Sequence, residues 1–149
     1  MKKSFSSKIL IFLLFFQSIS AIGGGLGLIT GPSGSNLGFN VDMLNGIFPS
    51  FLIPGLFLLI VLGIIPFIVF LGLILKFNNN VFDKFKLYKK YHWSWNYSYY
   101  LGIILIMWIN IQLLIIVESS IVHFIYSVTG VLIVILANMS STKKDYKNK

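Results

Sequence analysis

The charged positions in this chain leave four long stretches almost wholly to apolar residues. No charge falls between Ile9 and Val41 or between Met43 and Leu75, and Tyr91–Val117 and Ser119–Thr142 hold only the histidines His92 and His123. Each stretch accommodates a helix of about 20 residues, the length that crosses a hydrocarbon core of roughly 30 Å. The pattern predicts an all-α membrane fold, a four-transmembrane-helix bundle with spans at about 9–29, 51–75, 99–117 and 121–137. The whole chain, 1–149, is then a single integral membrane domain. It has an outer loop at 30–50, a basic aromatic inner loop at 76–98 and a tail at 138–149.

The first span, "ILIFLLFFQSISAIGGGLGLI", admits a rival reading as a signal peptide cleaved after Ser20. Apolar character continues past Ala21 to Ile29, which favours an uncleaved helix. The second span, 51–75, is Leu, Ile, Val or Phe at 20 of its 25 positions. At about −0.3 to −0.6 kcal/mol per central apolar residue, its insertion is favourable by several kcal/mol. Pro54 belongs in its first turn, where a missing N–H costs little. Pro66 lies mid-span and predicts a kink that frees the Leu62 carbonyl. Only "ESS" separates the third and fourth spans, so they form a tight antiparallel hairpin.

Charge adds an orientation. All twelve cationic side chains are lysines, and they fall before the first span, between the second and third, and after the fourth. An even number of spans gathers those three segments on one side of the bilayer. Twelve lysines with Asp83 and Asp145 give that side a formal +10, while Asp42 and Glu118 give the other −2, together the chain's +8. The positive-inside rule then places both termini in the cytoplasm, N-in and C-in, as in a multi-pass protein of a bacterial-type cell (inner) membrane. Composition agrees: the chain is 56% hydrophobic and 11% charged, with mean hydropathy +0.86. It lacks cysteine, so thiolate catalysis, disulfides and cysteine–metal sites are excluded.

The inner loop ends "KFKLYKKYHWSWNYSYY", where lysines run into dense Tyr and Trp. Nucleic-acid platforms also mix these residues, but headgroup anchoring in an anionic leaflet accounts for them without a nucleic-acid partner. The alternation of Tyr91, Trp93, Trp95, Tyr97 and Tyr99 predicts no strand, because an open strand edge cannot sit in lipid.

Seven of the thirteen glycines lie in "AIGGGLGLITGPSGSNLG", 21–38. A phosphate loop would need a following lysine, and none lies between Lys8 and Lys76. The "GPSG" at 31–34 resembles the GxSG nucleophile motif of rhomboid intramembrane proteases, and His123 lies on the same outer side, which raises a Ser33–His123 dyad. Rhomboids look like six-helix proteins with the serine on a buried helix, whereas Ser33 here falls in a polar loop of a four-span chain. Gly23, Gly27 and Gly31 recur every four residues and predict an edge of the first helix that packs closely on a neighbour. Within the outer loop, "NVDMLNGIF" predicts a short interfacial helix with Asp42 toward its N-terminus.

Polar residues inside spans are functional candidates by default. Gln17, Ser18 and Ser20 lie in the first span, and Trp108, Asn110 and Gln112 in the third. Trp108 and Gln112 share a helix face and Asn110 lies nearly opposite, which predicts hydrogen bonds to two different neighbours. Glu118 and His123 flank the hairpin turn, and a His–carboxylate pair can bind metal or sense pH, although two ligands are too few for a metal site. The candidate binding residues are therefore Trp108, Gln112, Glu118 and His123, with no catalytic constellation, no metal site and no cofactor expected.

The blocks "GGGLGLITGPSGSNLG", "FLIPGLFLLIVLGI" and "WINIQLLI" resemble a group of small uncharacterised bacterial four-helix integral membrane proteins. That group has a glycine-rich end to helix 1, a PSG-x-x-LG loop and a PGLFL start to helix 2. The resemblance covers roughly residues 20–135 and implies the four-span topology without an activity. The expected role is a structural, accessory or binding component of the membrane, with the lipid bilayer and either partner helices or further copies of the chain as partners. A small oligomeric transporter or channel is the alternative, and a hydrolase using Ser33 and His123 is a third reading.

Overall fold

Four helices long and apolar enough to cross a membrane run through the computed structural model, which describes residues 3–116 and 120–148. They are α1 (Phe5–Thr30), α2 (Leu52–Leu75), α4 (Trp93–Ile115) and α5 (Ile121–Asn138). Two short helices, α3 (Asn80–Lys84) and α6 (Ser140–Asp145), lie at the lysine-rich end. The described residues contain no strand beyond an isolated bridge between Tyr91 and Lys147. The fold is the all-α four-helix bundle that the charge gaps predict. α1 packs on α2 and α5, and α4 packs on α5 and the second half of α2.

Pro66 reshapes α2. The five residues Ile60–Ile64 form a π turn, closed by the Ile65 N–H bonding the Ile60 carbonyl. A proline ring collides with the carbonyl four residues before it and brings no N–H to that carbonyl. One residue added to the turn accommodates both effects, which is how π bulges arise inside helices. The halves of α2 then differ in their neighbours. Ile65–Leu75 packs on both α1 and α4, whereas Leu52–Leu59 runs chiefly along α1.

Two levels of packing result. Toward the lysine-rich end, Leu10 and Leu14 of α1, Val69 and Leu73 of α2, Trp93, Trp95 and Leu101 of α4 and Ile133 of α5 form a continuous buried cluster. Toward the distal end, a smaller cluster of Ala21, Leu62, Leu105, Trp108 and Ile109 leaves space between the helices. Leu10 and Leu14 precede Ser20, so cleavage there would strip two fully buried side chains from the main core.

Several expectations need correction. The third span begins at Trp93, six residues before the expected 99, because polar and aromatic residues supply its first turns. His92 caps it by accepting from the Ser94 N–H, and the buried Asn96 side chain bonds the Tyr88 N–H and carbonyl at 2.9 and 3.1 Å. Trp93 and Trp95 are core residues and not headgroup anchors, being 0% and 2% exposed. The described part of the tail folds back on the bundle: Tyr146 is buried, its hydroxyl donates to the Leu73 carbonyl at 3.0 Å, and the His92 N–H donates to the Tyr146 carbonyl at 2.7 Å. In the distal loop the expected interfacial helix is a single 3₁₀ turn, Val41–Leu44, capped by Asn40.

The glycine edge is also displaced. A Cβ at Gly23 would meet nothing within 4 Å, and the atoms nearest to one at Gly27 or Gly31 belong to the side chains of Leu37 and Asn36 in the following loop. The helix contact runs through Gly25 instead, where a Cβ would stand 2.7 Å from the Leu59 backbone nitrogen. Gly55 answers it from α2, facing Leu28 Cβ at 2.8 Å and the Gly25 carbonyl at 3.3 Å. Gly102 and Gly130 form a second such crossing between α4 and α5, each facing the other's carbonyl oxygen at 3.1 Å. Close backbone approach of this kind supplies much of the association energy of helices in lipid.

At the lysine-rich end Asp145 ties the two ends of the described chain together. Its carboxylate accepts from the Ser4 N–H at 2.7 Å, the Ser4 hydroxyl at 2.6 Å and the Ser7 hydroxyl at 2.7 Å. Burial pushes the Asp145 carboxyl up, but the bonds from Ser4 and Ser7 and the charge of Lys76 outweigh it and hold it below the ordinary 3.8. Lys3 Nζ caps the Ile74 carbonyl at 2.9 Å, and Lys76 Nζ caps the Asp145 carbonyl at 2.6 Å, cations placed at helix C-termini where the dipole favours them.

Two outcomes follow for thermal unfolding in detergent. Gly25→Ala should destabilise by about 1–3 kcal/mol as the backbones are forced apart, while Gly23→Ala should be neutral or raise stability by up to about 1 kcal/mol. The depressed Asp145 carboxyl contributes stability that is complete above its ordinary value and lost as pH falls through the lower folded value. Asp145→Asn should therefore be less stable than wild type at neutral pH, and the gap should close on strong acidification.

Candidate functional site

Between the distal halves of the helices lies a partly open cavity of about 520 Å³. That volume falls in the range of about 300–1,000 Å³ typical of small-molecule sites. The opening follows from α2: its first half leans on α1 through Gly25 and Gly55 and leaves α4 behind, so side chains alone bridge the gap. Phe57 of α2 stacks on Trp108 of α4 with ring centroids 4.2 Å apart. The segment between α1 and α2 covers the distal side through Leu37, Phe39, Met43, Leu44, Phe48 and Phe51.

The walls are largely apolar, with Leu28, Leu58, Leu62, Leu105 and Ile109 among them, and carry no lysine, aspartate or glutamate among the described residues. Polar character comes from Gln17, Ser20, Gln112, Ser120, His123 and Tyr126 and from the indole N–H of Trp108. Gln17 sits at the midpoint of the 26-residue α1 and marks the deepest level of the lining on that helix. From Gln17 to Leu28 the cavity extends roughly 16 Å along α1, at 1.5 Å per residue. Ser20 spends its hydroxyl on its own helix, donating to the Phe16 carbonyl at 2.7 Å.

Two polar atoms here lack partners. Gln17 Oε1 and Trp108 Nε1 are buried without a hydrogen bond, and both residues line the cavity. A buried polar group left unpaired costs about 1–3 kcal/mol. The other two tryptophans show the contrast: Trp93 Nε1 donates to the Phe77 carbonyl at 2.7 Å and Trp95 Nε1 to the Ala137 carbonyl at 2.8 Å. The third buried orphan, His92 Nε2, lies at the lysine-rich end, where burial holds the imidazole below its ordinary 6.5.

Three of the four candidate binding residues, Trp108, Gln112 and His123, come together on this cavity. Glu118 lies outside the described residues. His123 occupies the third position of α5, where its Nδ1 accepts from the Ser120 N–H at 3.2 Å, so it caps the helix as well as lining the cavity. Asn110 is exposed and donates to the Ile106 carbonyl of its own helix at 2.8 Å, so the expected bond to a second neighbour is not made. Ser33 is exposed and its hydroxyl donates to Ser35 Oγ at 3.0 Å. No hydrogen bond joins Ser33 to His123 among the described residues, and "GPSG" is a turn with Gly34 at φ 87°. The signal for Gln17 was its amide in mid-span. The missing partner of Trp108 has no counterpart in the sequence.

A smaller cleft of about 200 Å³ at the lysine-rich end lies between Tyr88, Tyr91, Trp95, Tyr99, Asn138 and Lys143. There the Lys143 ammonium stands 5.9 Å from the Trp95 ring. Among the described residues no group of three His, Asp or Glu side chains is placed to hold a metal ion. Comparison with models of protein families, with curated proteins and with solved structures finds no match for this chain.

The hydrogen-bond contrast between tryptophans is testable by conservative replacement. Trp95→Phe breaks a buried bond and should lower stability by about 1 kcal/mol or more. Trp108→Phe breaks none and should cost less, as read from the midpoints of thermal unfolding.

Proposed function

We propose that this chain is a multi-pass protein of a bacterial-type cell membrane that binds a lipid-soluble molecule in its distal cavity. The observation that carries the reading is the mid-membrane cavity itself, apolar in its walls yet supplied with a few convergent polar groups, the usual build of a small-molecule site. Trp108, Gln112 and His123 line it, and the absence of lysine, aspartate and glutamate from its described walls fits an uncharged ligand. The lysine distribution supports N-in and C-in orientation, which would put the cavity in the outer half of the bilayer.

The motifs by which the sequence resembles small bacterial four-helix membrane proteins fall at structural joints. The PSG turn precedes the segment that covers the cavity, and PGLFL holds the glycine that seats α2 on α1. We take that as support for kinship with the group. Exposed apolar side chains around α1, α2, α4 and α5 fit contact with the bilayer, with partner helices or with further copies of the chain.

Transport is the second reading, favoured by one observation: Gln17, Ser20 and Gln112 share the wall of a single cavity, as a polar pathway requires. The packed cluster beneath them closes the other half, so a conducting state would need that cluster to open. Flux into proteoliposomes no greater than into empty vesicles would remove this reading.

Gly24 lines the cavity, and a Cβ added there would meet only the flexible end of Leu58, at 3.1 Å. Gly24→Leu should therefore fill the site while the bundle stays folded. Native mass spectrometry of the detergent-solubilised protein with the terpene hydrocarbon farnesene should show a saturable one-to-one adduct with wild type and at least about a tenfold weaker one with the variant. Equal binding by both proteins would place the ligand elsewhere.

A further inference from the structure

We infer that the buried end of the cavity is a head-group subsite for an uncharged amphiphile, one whose terminal group both donates and accepts hydrogen bonds, a primary alcohol being the simplest. The inference rests on the binding reading above and deepens it by naming the ligand class. Two observations carry it. Gln17 is 3% exposed, stands at the deepest level of the lining on α1, and has its amide oxygen unpaired. Trp108, one helix across, lines the same space with its indole N–H unpaired, although both other indoles in the chain are bonded to backbone carbonyls.

An acceptor and a donor without protein partners thus belong to two residues that line one cavity. A ligand with only an acceptor, such as an ester or ketone, leaves Gln17 Oε1 without a donor. A hydrocarbon leaves both atoms unpaired. An alcohol supplies both complements, an O–H that can donate to Gln17 Oε1 and an oxygen that can accept from Trp108 Nε1. At the buried end a charged head would be set against Leu62, Leu105 and Ile109, apolar surroundings that penalise charge. His123 and Tyr126, the titratable groups on the wall, belong to α5, and His123 lies near the distal end of that helix, committed through Nδ1 to Ser120. The apolar body of the ligand then lies along Leu58, Leu62, Leu105 and Ile109 toward the opening.

The test uses full-length protein in detergent and two probes of similar shape, farnesol and farnesene, which differ by the terminal hydroxyl. Binding is read by native mass spectrometry and by the ligand-induced rise in unfolding midpoint, which follows mass action. Farnesol should bind wild type about tenfold or more tightly than farnesene, the effect of about one net hydrogen bond. Gln17→Leu should erase that preference while leaving farnesene binding in place. Trp108→Phe, which keeps a ring on Phe57, should reduce the preference and guards against a folding defect in the first variant. Equal affinity for both probes in wild type, or a preference that survives both substitutions, would overturn the head-group subsite and leave the binding reading standing. Failure of both probes to bind saturably would overturn the two together.

Discussion

Inside hydrocarbon no water is at hand to satisfy a backbone N–H or carbonyl, so every spanning segment must close its hydrogen bonds within itself. Pro66 breaks that rule in the middle of α2, and the chain answers with the π turn at Ile60–Ile64. Much of the architecture depends on that answer. Below the turn α2 wedges between α1 and α4, and the large side chains Trp93, Trp95, Leu73 and Leu14 close the space completely. Above it α2 follows α1, drawn close by Gly25 and Gly55, and the gap toward α4 is left to one aromatic stack and a cavity. The bundle is solid in one half and hollow in the other for a covalent reason.

The polar side chains within the spans sort themselves by the same constraint. Ser18, Ser20, Asn110, Thr129 and Asn138 donate to carbonyls three or four residues back in their own helices, the cheapest partner available in lipid. They contribute little to holding helices together. The indoles of Trp93 and Trp95 instead reach carbonyls outside their own helix and fasten α4 to the end of α2 and to α5. Gln17 and Trp108 do neither, and they border the hollow half. An unpaired polar atom in a packed region would be a defect. On the wall of a cavity it is a feature that a ligand can complete.

The four spans were legible because charge is expensive in lipid and lysine marks where the chain leaves it. The start of α4 was not, because Ser94, Asn96 and Ser98 read as loop until they are seen buried, Ser94 bonded to His92, Asn96 to Tyr88 and Ser98 to the Trp95 carbonyl of its own helix. Among three consecutive glycines, spacing alone favoured the Gly23 edge. Which face meets α2 depends on the direction α2 takes after Pro54, and that selects Gly25. Trp108, Gln112 and His123 could be named from the sequence as polar or amphipathic groups near one end of the bundle. Their shared cavity depends on the π turn, whose form a lone mid-span proline does not specify.

The chain has no cysteine, so single cysteines can report on each half of the bundle against a silent background. In intact cells treated with a small membrane-impermeant methanethiosulfonate, cysteines replacing Ser20 and Gln112 should be modified from outside. Cysteines replacing Leu14 and Leu73 in the packed half, and Ser140 at the lysine-rich end, should stay unmodified. Protection of positions 20 and 112, or labelling of position 140 from outside, would contradict the proposed orientation, with the cavity on the outer side and the packed, lysine-rich base on the inner.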